Sequence, residues 1–73
     1  MYHIKKSCFG IAKKKMQELG INLKDLEEYG DKLLEEIYYD LGIRIKIEMY
    51  ELDCKIYYVR YVDNKCVEFR RVK

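Results

Sequence analysis

The feature that most constrains this chain is a strict alternation of apolar and polar residues directly after Gly42. Over residues 43–50, Ile or Met alternates with Arg, Lys, Glu or Tyr. A period of two is typical of a β-strand with one buried face. Two further runs rich in β-branched and aromatic residues follow, at 55–62 and 66–72, and the connections at 52–54 and 63–65 are short enough for hairpins. The C-terminal half therefore predicts a three-stranded antiparallel meander.

The N-terminal half has the 3.6-residue period of helices. Apolar residues recur every three or four positions between residues 9 and 19, and a glycine that can end a helix follows directly. Asn22 then predicts an N-cap for a second helix, whose apolar residues keep helical spacing from Leu23 to Leu41. Gly30 lies in the middle of this stripe. It either lets another backbone approach or divides the segment into two shorter helices.

Together these elements predict an α+β fold with the order ααβββ. Two N-terminal helices form a helical hairpin on one face of the three-stranded antiparallel β-meander, and residues 1–73 form a single small domain. Three-residue loops would place Ile47 opposite Val59 and Arg60 opposite Glu68, whereas a two-residue turn at 63–64 would pair Val59 with Glu68. Ile37 and Ile47 are expected at the centre of the core. In the preferred register, the inner sheet face consists of Ile43, Ile45, Ile47, Met49, Tyr57, Val59, Tyr61, Val67 and Phe69.

Composition narrows the class of protein. The chain has 73 residues, of which 49% are apolar and 38% charged. The apolar share is too high for a disordered chain, and no apolar run approaches the ~18 residues that span a membrane. The N-terminus lacks the apolar stretch of a secretory signal, so we expect a soluble cytoplasmic protein. Cys8, Cys54 and Cys66 are then expected as reduced thiols, with a Cys54–Cys66 disulfide as the alternative in an oxidising compartment.

Residues suited to catalysis are few. The chain has one His, one Ser and no Thr, and the spacing of His3 and Cys8 does not place them on one helical face. The adjacent acidic pairs at 27–28 and 35–36 diverge by about 100° on a helix. The cysteine spacing matches no zinc pattern, and the isolated glycines form no phosphate-binding loop. We therefore expect no enzymatic activity, no metal and no cofactor.

The outer face of the predicted sheet is the candidate site. It carries more Tyr, Arg and aliphatic side chains than a surface that contacts only water, and this composition is typical of protein interfaces. The alternative interpretation is an ordinary amphipathic sheet surface, because β propensity favours Tyr, Ile and Val in any strand. The predicted partner-binding residues are Arg44, Lys46, Tyr50, Ile56, Tyr58, Arg60 and Arg70.

The charge distribution leaves two functions to weigh. The net charge of +2 is the sum of a basic block at 1–17, an acidic block at 18–53 with eleven acids against four bases, and a basic block at 54–73. The first function is a non-enzymatic module that docks another protein, as a regulator or inhibitor, through the outer sheet face or the acidic second helix. The alternative is nucleic-acid binding through the basic N-terminal helix and the Tyr- and Arg-bearing sheet face.

Self-association is a further expectation. A core this small gains stability from association, and the sheet face or an edge strand would provide the surface for a homodimer. No membrane partner is expected.

Overall fold

The computed structural model describes residues 12–73, which form two short helices and a four-stranded antiparallel sheet. Helix α1 covers residues 12–19 of the described part, and α2 covers Leu23–Tyr29. The strands are β1 (Asp31–Asp40), β2 (Ile43–Leu52), β3 (Lys55–Val62) and β4 (Lys65–Arg71), which lie in the order β1-β2-β3-β4. The α+β class is confirmed, whereas the prediction of three strands is wrong. His3 and Cys8 lie outside the described residues.

Helix α2 ends at Tyr29, well before the predicted end at Leu41. Asn22 caps it as the sequence predicts, because its side-chain oxygen accepts a hydrogen bond from the backbone amide of Asp25 at 3.0 Å. At the other end, the amide of Gly30 donates to the carbonyl of Leu26 at 2.9 Å. A Cβ atom on Gly30 would lie 2.6 Å from that carbonyl oxygen. Only glycine fits this close approach, where the chain changes from helix to strand.

The segment predicted as the second half of the long helix is strand β1. It pairs antiparallel with β2 around a two-residue turn, Leu41-Gly42, with Asp40 opposite Ile43. Both turn residues have positive φ, 53° and 79°, which is the type I′ geometry of tight hairpins. Backbone pairing with β2 outweighs the helical spacing of the leucines, and the run 37–39, Ile-Tyr-Tyr, suits a strand.

The register between β2 and β3 differs from the predicted one by a single residue. The turn between them is Asp53-Cys54, with positive φ at both positions and Leu52 opposite Lys55. Ile47 therefore lies opposite Arg60 and not opposite Val59. Because side chains alternate between the faces of a strand, a shift of one residue moves the whole alternating set to the other face. The prediction that the apolar residues of β2 face the core is therefore wrong.

The pairing between β3 and β4 combines the two predicted alternatives. The turn has two residues, Asp63-Asn64, and Val62 lies opposite Lys65. A bulge follows between Arg60 and Tyr61, where β4 contains one additional residue. The bulge restores the opposition of Arg60 and Glu68 that the three-residue loop predicted.

The core lies between the helices and one face of the sheet. This covered face includes Tyr50 opposite Tyr57 and Val59 opposite Phe69. Ile37 was expected at its centre, but its side chain is 45% exposed, and β1 is exposed along its whole length. The buried apolar cluster consists of Ala12, Leu26, Tyr50, Tyr57, Val59, Tyr61, Cys66 and Phe69.

The two described cysteines are free thiols at opposite ends of β3. Cys54 is in the turn before the strand, and Cys66 lies opposite Tyr61 near the strand's far end. Six residues of strand span ~20 Å, whereas a disulfide needs Cα atoms within about 7 Å. The fold therefore excludes a Cys54–Cys66 disulfide within one chain.

Candidate functional site

One face of the sheet is covered by none of the described residues, and we call it the open face. Helices α1 and α2 contribute Ala12 and Leu26 to the core on the opposite face, where they join Tyr50 and Val59. Residues paired across antiparallel strands share a face, so the register identifies the members of the open face. Its apolar members are Leu34, Tyr38, Ile43, Ile45, Ile47, Met49, Ile56, Tyr58 and Val62.

The centre of the open face is an aliphatic stripe along β2, formed by Ile45, Ile47 and Met49. These side chains are only partly buried. Strand β1 extends the stripe with Leu34 opposite Met49 and Tyr38 opposite Ile45. Leu34 is 39% exposed and Tyr38 is 46% exposed. A contiguous apolar patch on a single chain is typical of a surface that contacts another protein.

The two arginines of the open face, Arg60 and Arg70, pair with one carboxylate. Nε of Arg60 lies 3.0 Å from Oε1 of Glu68, and Nε of Arg70 lies 3.1 Å from Oε2 of the same carboxylate. The Arg70 guanidinium also stacks over the Tyr58 ring, 4.5 Å from its centroid. Both arginines are therefore engaged within the chain, and the open face presents little uncompensated positive charge.

The structure divides the predicted partner-binding residues between the two faces of the sheet. Four lie on the open face, namely Ile56, Tyr58, Arg60 and Arg70. Three lie on the covered face, namely Arg44, Lys46 and Tyr50. The prediction that all seven share one face is wrong, because the shifted register of β2 reverses its two sets of side chains.

The three residues on the covered face have partners within the chain. The Arg44 guanidinium donates a hydrogen bond to the side chain of Asn64. The Lys46 ammonium lies over the Tyr61 ring, 4.8 Å from its centroid. Tyr50 is buried, with 3% of its surface exposed. These contacts stabilise the covered side of the sheet.

Sequence reasoning missed an ionic cluster on that side, centred on Glu48. This residue is 2% exposed. Its Oε1 accepts a hydrogen bond from the Tyr50 hydroxyl at 3.2 Å, and its Oε2 lies 3.1 Å from Nζ of Lys32 and 3.4 Å from Nζ of Lys46. The two-residue turn at 53–54 places Glu48 on the covered face, and a three-residue turn would have placed it on the open face.

The cluster keeps its charges at neutral pH. Burial acts to raise the pKa of the Glu48 carboxyl, but the hydrogen bond from Lys32 and the charge of Lys46 outweigh it, and the pKa lies below its usual value. The hydrogen bond to Glu35 is the main cause that raises the pKa of Lys32, and the hydrogen bond to Glu48 is the second. Burial is the main cause that raises the pKa of Tyr61. The carboxylates of Glu48 and Glu35 thus compensate the ammonium groups of Lys32 and Lys46, which suits a structural role.

Residues 12–73 contain no group of three or more His, Cys, Asp or Glu side chains placed to hold a metal ion. None of the helices in this part of the chain has the length and apolarity to cross a membrane. Comparison with models of protein families, with curated proteins and with solved structures found no match to the chain.

Proposed function

We propose that this chain is a non-enzymatic binding module that docks another protein through the open face. The observation that carries the proposal is the aliphatic stripe of Ile45, Ile47 and Met49, which runs along the middle of a sheet face that no described residue covers. Burying such a stripe releases water from apolar surface, at roughly 25 cal/mol per Å². A partner with a complementary apolar face would supply that burial.

The composition of the open face favours a protein partner over nucleic acid. Phosphate recognition relies on Arg and Lys groups, and the Glu68 carboxylate, which pairs with both Arg60 and Arg70, would repel a phosphate that approached them. Glu36 and Glu51 add further negative charge on the same face. Tyr58, the ring best placed to stack on a base, is already covered by the Arg70 guanidinium.

The proposal retains the cytoplasmic location expected from the sequence. The free thiols of Cys54 and Cys66 are compatible with a reducing compartment. A role as a regulator or inhibitor of the docked protein suits a chain of this size, whose sheet has one face that no described residue covers.

Replacement of Ile47 by Glu tests the proposal, because it places a charge in the centre of the stripe. Tyr29→Glu is the matched control: Tyr29 is 71% exposed, lies on α2 and is not part of the open face. Tagged parent and variants are used to capture partners from the native cell extract, after circular dichroism has shown that each is folded. We expect the parent and Tyr29→Glu to retain the same protein, and Ile47→Glu to lose it.

A second variant, Tyr58→Ala, removes an open-face contact without adding a charge. If both open-face variants fold and keep every partner of the parent, the open face is not the docking surface. Binding of the parent to single-stranded RNA or DNA is measured at several salt concentrations in the same series. Affinity of the parent that falls steeply as salt increases, together with loss of binding in Arg60→Glu, would favour nucleic-acid binding instead.

A further inference from the structure

Strand β1 is a long edge strand with an acidic character. Within residues 12–73 it pairs only with β2, and all ten of its residues are exposed. Four acids and one lysine give the strand a net charge of −3. Apolar side chains also extend from both of its faces: Ile37 on the covered side is 45% exposed, and Tyr38 on the open side is 46% exposed. An unpaired edge of this kind is a template for another strand.

Strand β4 forms the other edge of the sheet and has the opposite charge. It pairs only with β3 among the described strands. Three basic residues and one acid give it a net charge of +2. The two edges of one sheet are therefore electrostatically complementary, and a single chain cannot bring them together because β2 and β3 lie between them.

We propose that copies of this chain associate edge to edge, with β1 of one copy adding as a strand beside β4 of the next. The alternating direction of the strands makes this new pair antiparallel when the two copies have the same orientation, so the sheet continues with all helices on one side. The association uses the sheet edges and does not depend on docking at the open face.

Backbone geometry restricts the register of the new pair. Asp40 and Ile43 flank a two-residue turn and bond to each other, so Ile37 and Glu35, at odd spacings from Asp40, direct their backbone groups away from β2. On β4, the amide of Val72 donates to the carbonyl of Ile56 at 2.8 Å. Arg71 and Phe69, one and three residues earlier, therefore direct their backbone groups outward.

One register matches both the outward backbone groups and the side-chain charges. It places Glu35 opposite Arg71 and Ile37 opposite Phe69, as hydrogen-bonded pairs on the covered side. Glu36 then lies opposite Arg70 on the open side, where Nε of Arg70 already faces Glu68 and the other donors of the guanidinium would face Glu36. Two acid–base pairs and one apolar pair thus form together.

A groove at the β4 edge accommodates the incoming strand. It lies between α1 and β4 and is lined by Lys14, Lys15, Glu18, Glu68, Phe69 and Arg70. Phe69 is buried against the core, so it presents an apolar neighbour to Ile37 of the next copy. Lys14 lies on the helix side of this groove, beside an ion pair in which Nζ of Lys15 is 3.6 Å from Oε1 of Glu18.

Charge also disfavours the symmetric alternative, in which two copies pair through β1. That arrangement would join two strands of net charge −3. The β1-to-β4 contact is heterologous, since it joins different surfaces of the two copies, and it produces a ring if the rotation closes and an open chain of copies if it does not.

Charge reversal at the two edges tests this proposal. Glu35→Arg with Glu36→Arg makes both edges basic, and Arg70→Glu with Arg71→Glu makes both edges acidic. Sedimentation velocity over a range of concentrations at low salt should show self-association of the parent. Each double variant alone should associate at least about tenfold more weakly. An equimolar mixture of the two double variants should regain association, because each edge again meets its complement.

The control is Glu27→Arg with Glu28→Arg, which makes the same change in charge on exposed positions of α2. It should associate like the parent. Ile37→Pro provides a test without charge reversal: the Ile37 amide points away from β2, so proline leaves the β1–β2 pairing intact but blocks the new edge. We expect Ile37→Pro to remain folded and to lose association.

Three outcomes would overturn the proposal. The parent could remain monomeric up to about 1 mM, a range that would detect even weak contacts. The mixed charge variants could stay monomeric although each is folded. Alternatively, the parent could associate while the folded Ile37→Pro variant associates equally well, which would assign self-association to another surface such as the open face.

Discussion

Nζ of Lys32 lies 3.1 Å from Oε2 of Glu48, and this ion pair ties the exposed edge strand β1 to the buried side of β2. The Lys32 side chain is 41% exposed, whereas that of Glu48 is 3% exposed. Lys32 also bonds to Glu35 on its own strand and lies 5.7 Å from the centroid of the Tyr50 ring. Its ammonium group thus closes the ionic cluster from the solvent side and secures the beginning of the edge strand.

The cluster makes stability depend on acid. The folded state holds the Glu48 carboxyl at a lowered pKa, so as pH falls the unfolded chain takes up the proton first, and the free energy of unfolding decreases. We expect the loss to begin near the ordinary Glu pKa of about 4.3 and to continue below it. Urea unfolding of the parent and of Glu48→Gln between pH 7 and pH 3 measures this.

Glu48→Gln should cost about 1–3 kcal/mol at pH 7, because it leaves the ammonium groups without their buried acceptor. Its stability should also fall less than that of the parent between pH 5 and pH 3. Equal acid sensitivity of the two proteins would show that other carboxylates govern the acid transition.

The core position of Leu26 predicts a large cost of truncation. Leu26 is fully buried between α2 and the sheet, whereas Leu33 on β1 is 52% exposed. Leu26→Ala should lower the free energy of unfolding by about 2–5 kcal/mol, and Leu33→Ala by much less. Thermal and urea denaturation of both variants provide the measurement. Similar losses at the two positions would show that α2 does not pack as described.

The error over residues 31–40 shows what local periodicity cannot decide. Leu33, Leu34 and Ile37 have helical spacing, but the same segment also contains the β-favouring run at 37–39. The deciding contacts are backbone pairs with residues 43–51, which follow after a two-residue turn and lie outside the short window in which helical spacing is counted. The turn itself had a local signal in Gly42, which suits a hairpin as well as a helix end.

The sheet and its site were predicted unequally for a similar reason. The strands β2, β3 and β4 follow from alternation, and Arg60 lies opposite Glu68 as predicted. Which side chains of β2 face the helices depended on whether the turn after it contained two or three residues. The two-residue turn has positive φ at both Asp53 and Cys54. Cysteine is not a residue that sequence rules associate with that conformation. The stripe was therefore recognised as apolar but assigned to the wrong side.

The Leu41-Gly42 turn offers a stabilising substitution. Leu41 has a φ of 53° and is 95% exposed, so its side chain contributes strain in the left-handed region and no packing. Asparagine tolerates this conformation and is common at the first position of type I′ turns. Leu41→Asn should raise the free energy of unfolding by about 0.5–1 kcal/mol, as an increase in Tm and in the urea midpoint. The control is Leu33→Asn, which replaces an exposed leucine on β1 and should not increase the Tm. An unchanged or lower Tm for Leu41→Asn would contradict the turn geometry.

The two described thiols should differ in reactivity because their surroundings differ. Burial raises the pKa of the Cys66 thiol to about 11, and only 4% of the residue is exposed. Cys54 is exposed at the β2–β3 turn. The thiolate is the nucleophile that attacks the carbon of iodoacetamide and displaces iodide, and this reaction also requires access of the reagent to the sulfur. Iodoacetamide at pH 8 should therefore modify Cys54 at least about tenfold faster than Cys66 in the native protein. Peptide mapping by mass spectrometry distinguishes the two sites, and the same reaction in denaturant should bring the two rates close together because it removes the burial of Cys66. Comparable rates in the native protein would mean that the covered side of β4 opens readily, and that Phe69, three residues further along the strand, does not have the stable position that the edge-to-edge register requires.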